Sequence, residues 1–325
     1  MSRSHAKPAS SARWRSLLVA VLAAGLIPAS ATGQFGRAPN PEAQMRAAAA
    51  RGTHVQSPLA PAQALRQVNL MATALNGLQP QRPGVVDAYV ISIGFDSDGV
   101  FGREAAETGR VLSRRYDAAG RTIVLANGTG AGDGVPMADP NDVAAALARI
   151  GELMDPAEDV LVLYVTTHGH WVTGLAWKDG SRGAGHLGPV YLAGLLDEIG
   201  VRNRLLIISA CFSGVFVPIL ENDSSYVITA ASSDRSSFGC DARNDWTFFG
   251  DALVNHALRK PIGTEAAFVE AREEIEGWER SLRVPQSQPQ QSKGRHVDRW
   301  LSVLDRRVPA EAGTPVGRPA YQPPG

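Results

Sequence analysis

The sequence predicts an α/β domain: a mostly parallel β-sheet with helices on both faces, three layers in all. Three observations predict it. Short apolar runs recur between residues 85 and 231, near-continuous in Val, Ile and Leu rather than alternating, as in strands buried on both faces. Segments of helical spacing separate most of the runs, and strand–helix–strand alternation folds through right-handed crossovers into a parallel sheet. The composition is globular, with 44% hydrophobic and 20% charged residues in 325. The 32 basic and 32 acidic groups balance. That excludes a wholly disordered chain, a collagen-like fibre and a polybasic nucleic-acid binder.

Residues 1–31 read as an export signal. Arg3, Lys7, Arg13 and Arg15 precede an apolar run over 17–27, Pro28 ends it, and Ala29, Ser30 and Ala31 supply the small residues of a cleavage site. The run is shorter than the about 20 residues of a membrane span, and an uncleaved anchor is the alternative. Cleavage leaves 325 − 31 = 294 residues with a charge of 28 − 32 = −4. Such a protein is expected to be exported, periplasmic or secreted, with no stable membrane insertion and no nucleic-acid partner.

Residues 32–84 read as an arm with one or two peripheral helices, Leu65, Val68, Leu75 and Leu78 sharing a face. The main domain is expected over 85–283. Its strands are read at 85–94, 121–126, 159–167, 204–210 and 225–231. Helices are read at 103–116, 140–154, 189–199, 247–258 and 264–282; the second opens on Asp139-Pro140-Asn141-Asp142, a capped start. A small hairpin fits 171–177. From 284 to 325 the chain turns rich in Pro and Gln and reads as an extension.

Open parallel sheets bind ligands beyond the carboxyl ends of their strands. Two strand ends carry chemistry there. One gives Thr166-Thr167-His168-Gly169-His170, the other Ser209-Ala210-Cys211-Phe212-Ser213-Gly214. An imidazole beside a thiol can take its proton or, as imidazolium, hold the thiolate. Gly169 allows close backbone approach and offers an N–H to a developing oxyanion. A short helix from residue 212 would add the field of its N-terminus. Either residue alone is as readily a buried thiol or a turn histidine; together they favour catalysis. His168, His170, His186 and Cys211 match no standard zinc spacing. Asp96-Ser97-Asp98-Gly99 lacks the remaining ligands of a calcium loop and reads as a turn, and the glycine-rich loop over 127–134 lacks the Lys-Ser/Thr of a phosphate loop. Bridging Cys240, the only other cysteine, to Cys211 would abolish the nucleophile.

The His-Gly and Ala-Cys-x-Ser-Gly elements, each after an apolar strand, resemble the clan CD cysteine peptidases, most closely the legumain-like peptidases of family C13. The resemblance spans about residues 85–258. It implies a caspase-like three-layer fold, a protein or peptide substrate, and neither cofactor nor metal. It implies Cys211 as nucleophile, His168 as general acid or base, and an oxyanion hole from the N–H groups of Gly169 and Cys211. It places Arg103 and Asp251 in the specificity pocket, with Ser209, Ser236 and Ser237 around it. A guanidinium beside a carboxylate suits an amide side chain, hence cleavage after Asn, or Asp. Ser209 stands where the family usually carries an acid, and Phe101 where it carries the Asn that orients the histidine. A transamidase of the same fold and an inactive binding domain are the alternatives.

Overall fold

The computed structural model describes residues 40–52 and 54–322. The export signal read in residues 1–31 lies outside them. In chain order the elements are α1 (Pro41–Ala50), β1 (His54–Gln56), α2 (Pro61–Asn76), β2 (Ala88–Gly94), α3 (Gly99–Arg115), β3 (Thr122–Ala126), α4 (Pro140–Leu153), β4 (Val160–Thr166), β5 (Gly169–His170), β6 (Gly174–Asp179), β7 (Gly183–Leu187), α5 (Pro189–Glu198), β8 (Asn203–Ser209), α6 (Val217–Leu220), β9 (Ser225–Thr229), α7 (Thr264–Leu282), β10 (Gln290–Lys293) and α8 (Asp298–Asp305).

The central sheet has the order β10-β9-β8-β4-β2-β3. Every pairing in it is parallel except that of β10 with β9. Each of the five expected strands is present, because each is apolar on both faces. Alternation sorts their side chains into two cores: Tyr89, Ile91, Ile93, Leu161, Leu163 and Val165 pack with Leu147 and Leu196 on the α4/α5 side. Ala88, Val90, Val160, Val162 and Tyr164 pack with Leu112, Phe268 and Leu301 on the α3/α7/α8 side. The period-two pleat thus divides one sequence run between two helical layers. Strand order reverses beside β2, with β3 on one flank and β4 on the other, which sets a crevice beyond the carboxyl ends of β2 and β4.

A second, antiparallel sheet of order β1-β7-β6-β5 stands on the chain between β4 and α5. It is larger than the hairpin expected at 171–177. The arm joins it, since β1 pairs with β7. The expected apolar face of α2 is corrected: Leu65 and Val68 are exposed, whereas Met71 and Leu78 are buried.

Two further expectations change. The segment 247–258 is not a regular α-helix but a π-helical stretch, Gly250–His256, followed by a 3₁₀ turn. Before it, the Thr247 N–H donates to the buried Glu104 Oε2 at 2.7 Å, and the Thr247 hydroxyl accepts from the Gly250 N–H at 3.0 Å as a cap. The segment beyond 284 is not a peripheral extension. Its β10 closes one edge of the central sheet, and Trp300, Leu301 and Leu304 of α8 are buried in the core. Among the described residues, no helix is long and apolar enough to cross a membrane.

A chain ending after residue 283 is therefore expected not to fold. Three large side chains at about 1.5–3 kcal/mol each are worth roughly 5–9 kcal/mol, comparable to the about 5–15 kcal/mol of a whole domain. A cooperative urea transition in that truncated chain, matching the full chain, would contradict this assignment.

Candidate active site

The sheet register delivers the two candidate residues to one place. Thr166 of β4 pairs with Ser209 of β8. His168 and Cys211 each stand two positions beyond that pair, at the same height on the carboxyl edge. The Thr167 N–H donates to the Ser209 carbonyl at 3.1 Å, carrying the pairing one residue further. Beyond it the two chains touch: a Cβ at position 169 would overlap the carbonyl oxygen of Cys211. Only glycine permits this approach.

His168 is held from several sides. Its carbonyl accepts from the Ala176 N–H at 2.9 Å, and the Thr167 hydroxyl donates to the Ala176 carbonyl at 2.7 Å, tying the histidine turn to β6. Phe101 of α3 meets the imidazole edge-on, with centroids 4.9 Å apart and planes at 81°. The Asp98 Oδ2 lies 3.5 Å from Nε2. Asp98 occupies the N-cap of α3 yet makes no side-chain cap bond. Its carboxylate instead faces His168 and the Lys178 ammonium, which is 3.5 Å from its other oxygen. With Nε2 turned to Asp98, Nδ1 remains for the reacting group.

Cys211 ends β8 on a sharp turn. Phe212 adopts the left-handed region at φ 56°, ψ 17°, a strained geometry for a bulky residue. The turn is fixed by the Phe212 N–H, which donates to the Arg235 carbonyl at 2.7 Å, and by the Ser213 hydroxyl, which accepts from the Ala231 N–H at 3.1 Å. The expected helix after Cys211 breaks into a four-residue 3₁₀ turn and the four-residue α6. So short a pair carries little dipole. The thiolate is favoured by other groups. A hydrogen bond from the Cys240 thiol is the largest influence, and together with the Ser237 N–H, the charge of His168 and Ser236 it outweighs burial and lowers the Cys211 thiol to about 6. The Ser237 N–H lies 3.3 Å from Sγ. The same proximity pushes the Cys240 thiol upward. Both cysteines are free, so the bridge that would abolish the nucleophile is not formed.

The expected pocket residues divide. Ser236 and Ser237 reach Cys211, the first through its side chain and the second through its backbone. Ser209 does not line the cleft: it is buried at 1% exposure, with its hydroxyl 3.2 Å from that of Thr247. Arg103 is part-exposed and reaches the loop over 241–246, donating from Nε and Nη2 to the carbonyl of Asn244 and from Nη2 to that of Ala242. Asp251 is the clear correction. It is wholly buried, one oxygen accepting from Asn255 Nδ2 at 2.8 Å and the other from the Ala320 N–H at 2.7 Å. The acid beside Arg103 is Asp245, 3.1 Å from Nε, and the two side chains are 34% and 31% exposed. Sequence reading also missed Asp98 and Lys178. An N-cap aspartate signals a helix start, and only the fold reveals that its carboxylate turns elsewhere.

Among the described residues, no group of three or more His, Cys, Asp or Glu is disposed to hold a metal ion. His170 Nδ1 accepts from the Val172 N–H, and His186 Nδ1 lies 3.0 Å from the Thr173 hydroxyl.

Residues 142–292 match the model of the Peptidase C13 family. Among solved structures, that of caspase-1 from Spodoptera frugiperda is similar at 12% identity, over 67% of this chain and 89% of that one, with a TM-score of 0.43. No curated protein matches the chain.

A thiol lowered to about 6 keeps its thiolate at every pH above that value. Iodoacetamide labelling of Cys211 should therefore rise with pH through a midpoint near 6, and Cys240 should stay unlabelled throughout. Peptide mapping after timed labelling checks this; a Cys211 midpoint above 8 would contradict it.

Proposed function

We propose that this chain, whose residues 142–292 match the Peptidase C13 family, is a cysteine endopeptidase that cleaves after Asn, using Cys211 and His168. The family is one of cysteine peptidases; the dyad and the specificity are the proposal. One observation supports it: β4 and β8 overhang in register, which brings His168 and the lowered thiol of Cys211 to the same edge of the sheet.

The chemistry follows from the geometry. The Cys211 thiolate attacks the scissile carbonyl carbon, and the carbonyl oxygen becomes an oxyanion. The N–H groups of Gly169 and Cys211 receive that charge. As the tetrahedral adduct collapses, the carbon–nitrogen bond breaks and His168 gives its proton to the leaving amine, producing a thioester and a free amine. Water then gives a proton back to His168 and attacks the thioester, releasing the carboxylic acid and regenerating the thiolate. Asp98 orients the imidazole and stabilises its protonated form, and Phe101 limits its rotation. Phe101 stands where the resemblance expects an orienting Asn, so the orienting group comes from Asp98, three residues earlier on the same helix start.

Arg103 and Asp245 together present a donor beside an acceptor, which complements a carboxamide. The Nη1 hydrogens of Arg103 make no hydrogen bond among the described residues and are available to a substrate carbonyl. Asp245 favours Asn over Asp, because a substrate carboxylate would face a like charge. The export signal read in residues 1–31 extends the proposal to a periplasmic or secreted enzyme.

Cys211→Ala should abolish hydrolysis of peptides with Asn at P1 while leaving the unfolding transition in place; retained turnover by the pure variant would remove the mechanism. Asp98→Asn should lower kcat about tenfold or more with KM within about twofold, since the loss falls on proton transfer. A raised KM at constant kcat would instead make Asp98 a substrate contact. Asp245→Asn should lower the Asn-to-Asp preference about tenfold, the worth of one charge-assisted interaction. A P1 peptide library read with the wild type and this variant checks it, and an unchanged ratio would overturn the pocket assignment.

A further inference from the structure

The loop over 241–246 carries Asp245 and the carbonyls that hold Arg103, and it ends on the buried Trp246. The Arg243 side chain bonds to Asp241 beside it, and the Asn244 side chain returns to the Gly239 carbonyl at 3.0 Å. Two things fasten it from outside: Arg103 of α3, through the Ala242 and Asn244 carbonyls, and the end of the chain. The Arg318 N–H donates to the Asp245 Oδ2 at 2.7 Å, on the carboxylate whose other oxygen faces Arg103. The Arg318 guanidinium donates to the Arg243 carbonyl. The Trp246 indole N–H donates to the Val316 carbonyl at 2.8 Å. Gly317 lies between these contacts in the left-handed region, at φ +77°, where a Cβ would fall 3.0 Å from that of Asp245.

The tail is itself moored to the core. Val316 exchanges hydrogen bonds with the buried Asn255, accepting from its Nδ2 at 3.1 Å and donating to its Oδ1 at 2.9 Å. The Ala320 N–H satisfies Asp251, which explains a wholly buried carboxylate that meets no substrate. Tyr321 stacks on Trp278 at 5.6 Å and 13°.

We infer that the C-terminal segment over 316–321 is a specificity-determining part of the substrate pocket: moored to the core through Asn255 and Asp251, it fixes Asp245 against Arg103 and so sets the choice between Asn and Asp. Arg318 is a positioning residue in this arrangement, acting through Asp245. The inference rests on the reading of Arg103 and Asp245 as the pair that meets the P1 side chain.

The test uses the full chain and two readouts, one independent of activity. Arg318→Pro removes the N–H that serves Asp245; Arg318→Lys keeps it and serves as the rescue; Gly317→Val crowds Asp245. Amide hydrogen exchange over 241–246 should quicken about tenfold or more in Arg318→Pro and Gly317→Val, with β4 and β8 as protected as in the wild type. Arg318→Lys should exchange like the wild type. In the same two variants the Asn-to-Asp preference should fall about tenfold, through KM, with kcat for the Asn substrate within about twofold. Unchanged exchange in the loop would overturn the inference, as would quickened exchange with an unchanged preference. Should either variant fail to fold, Arg318→Ala removes only the guanidinium bond, and exchange quickened by less than about threefold would count against the strap. A wild type that hydrolyses no peptide would remove the peptidase reading, while the exchange readout would still decide whether the tail fixes the loop.

Discussion

Where β4 and β8 run out of the sheet, their chains come into contact, and the site depends on that contact. The parallel register pairs Thr166 with Ser209, and the approach of Gly169 to the Cys211 carbonyl holds the two overhangs together. Any side chain at 169 would force the strand ends apart and separate the imidazole from the sulfur. The register is specified in turn by burial on both faces, since a one-residue slip of either strand would exchange the side chains committed to the two cores. Hydrophobic packing far below the site thus sets the distance between two reactive groups.

Around that contact, buried polar groups set the walls. Glu104 of α3 is wholly buried, and burial raises its pKa. It accepts from the Tyr164 hydroxyl at 2.5 Å and from the Thr247 N–H at 2.7 Å, joining α3, β4 and the start of the π-helical stretch behind the cleft. Asp251 does the same for the chain's end. Neither acid can lose its partners without leaving a buried carboxylate unsatisfied, a cost of several kcal/mol in general. The reactive groups, by contrast, are part-exposed: His168 is 41% and Asp98 35% accessible. Rigid buried acids thus stand behind part-exposed candidate residues.

The sequence made the central strands legible because their apolar runs are unambiguous, and it made His168 and Cys211 legible because both follow such runs. What it concealed has physical causes. The edge strands His-Val-Gln and Gln-Gln-Ser-Lys are short and polar, without a periodic apolar signal. The stretch over 250–256 has helical composition, and composition does not distinguish π from α winding. Asp245 and Asp251 both sit near aromatic residues a few positions past the pocket loop; only the fold shows that the first faces Arg103 and the second faces the tail. The Pro- and Gln-rich end reads as an extension because β10 is polar and Val316, Arg318 and Ala320 bond to the domain through backbone groups, which composition does not report.

The most direct test of the central claim is a crystal structure of the protein treated with a peptidyl aldehyde bearing Asn at P1. The account predicts a covalent bond from Cys211 Sγ to the aldehyde carbon, its oxygen on the Gly169 N–H, the His168 ring within hydrogen-bonding reach, and the Asn amide between Arg103 and Asp245. An aldehyde attached elsewhere, or a Cys211 sulfur bridged to Cys240 with the imidazole turned away, would contradict it.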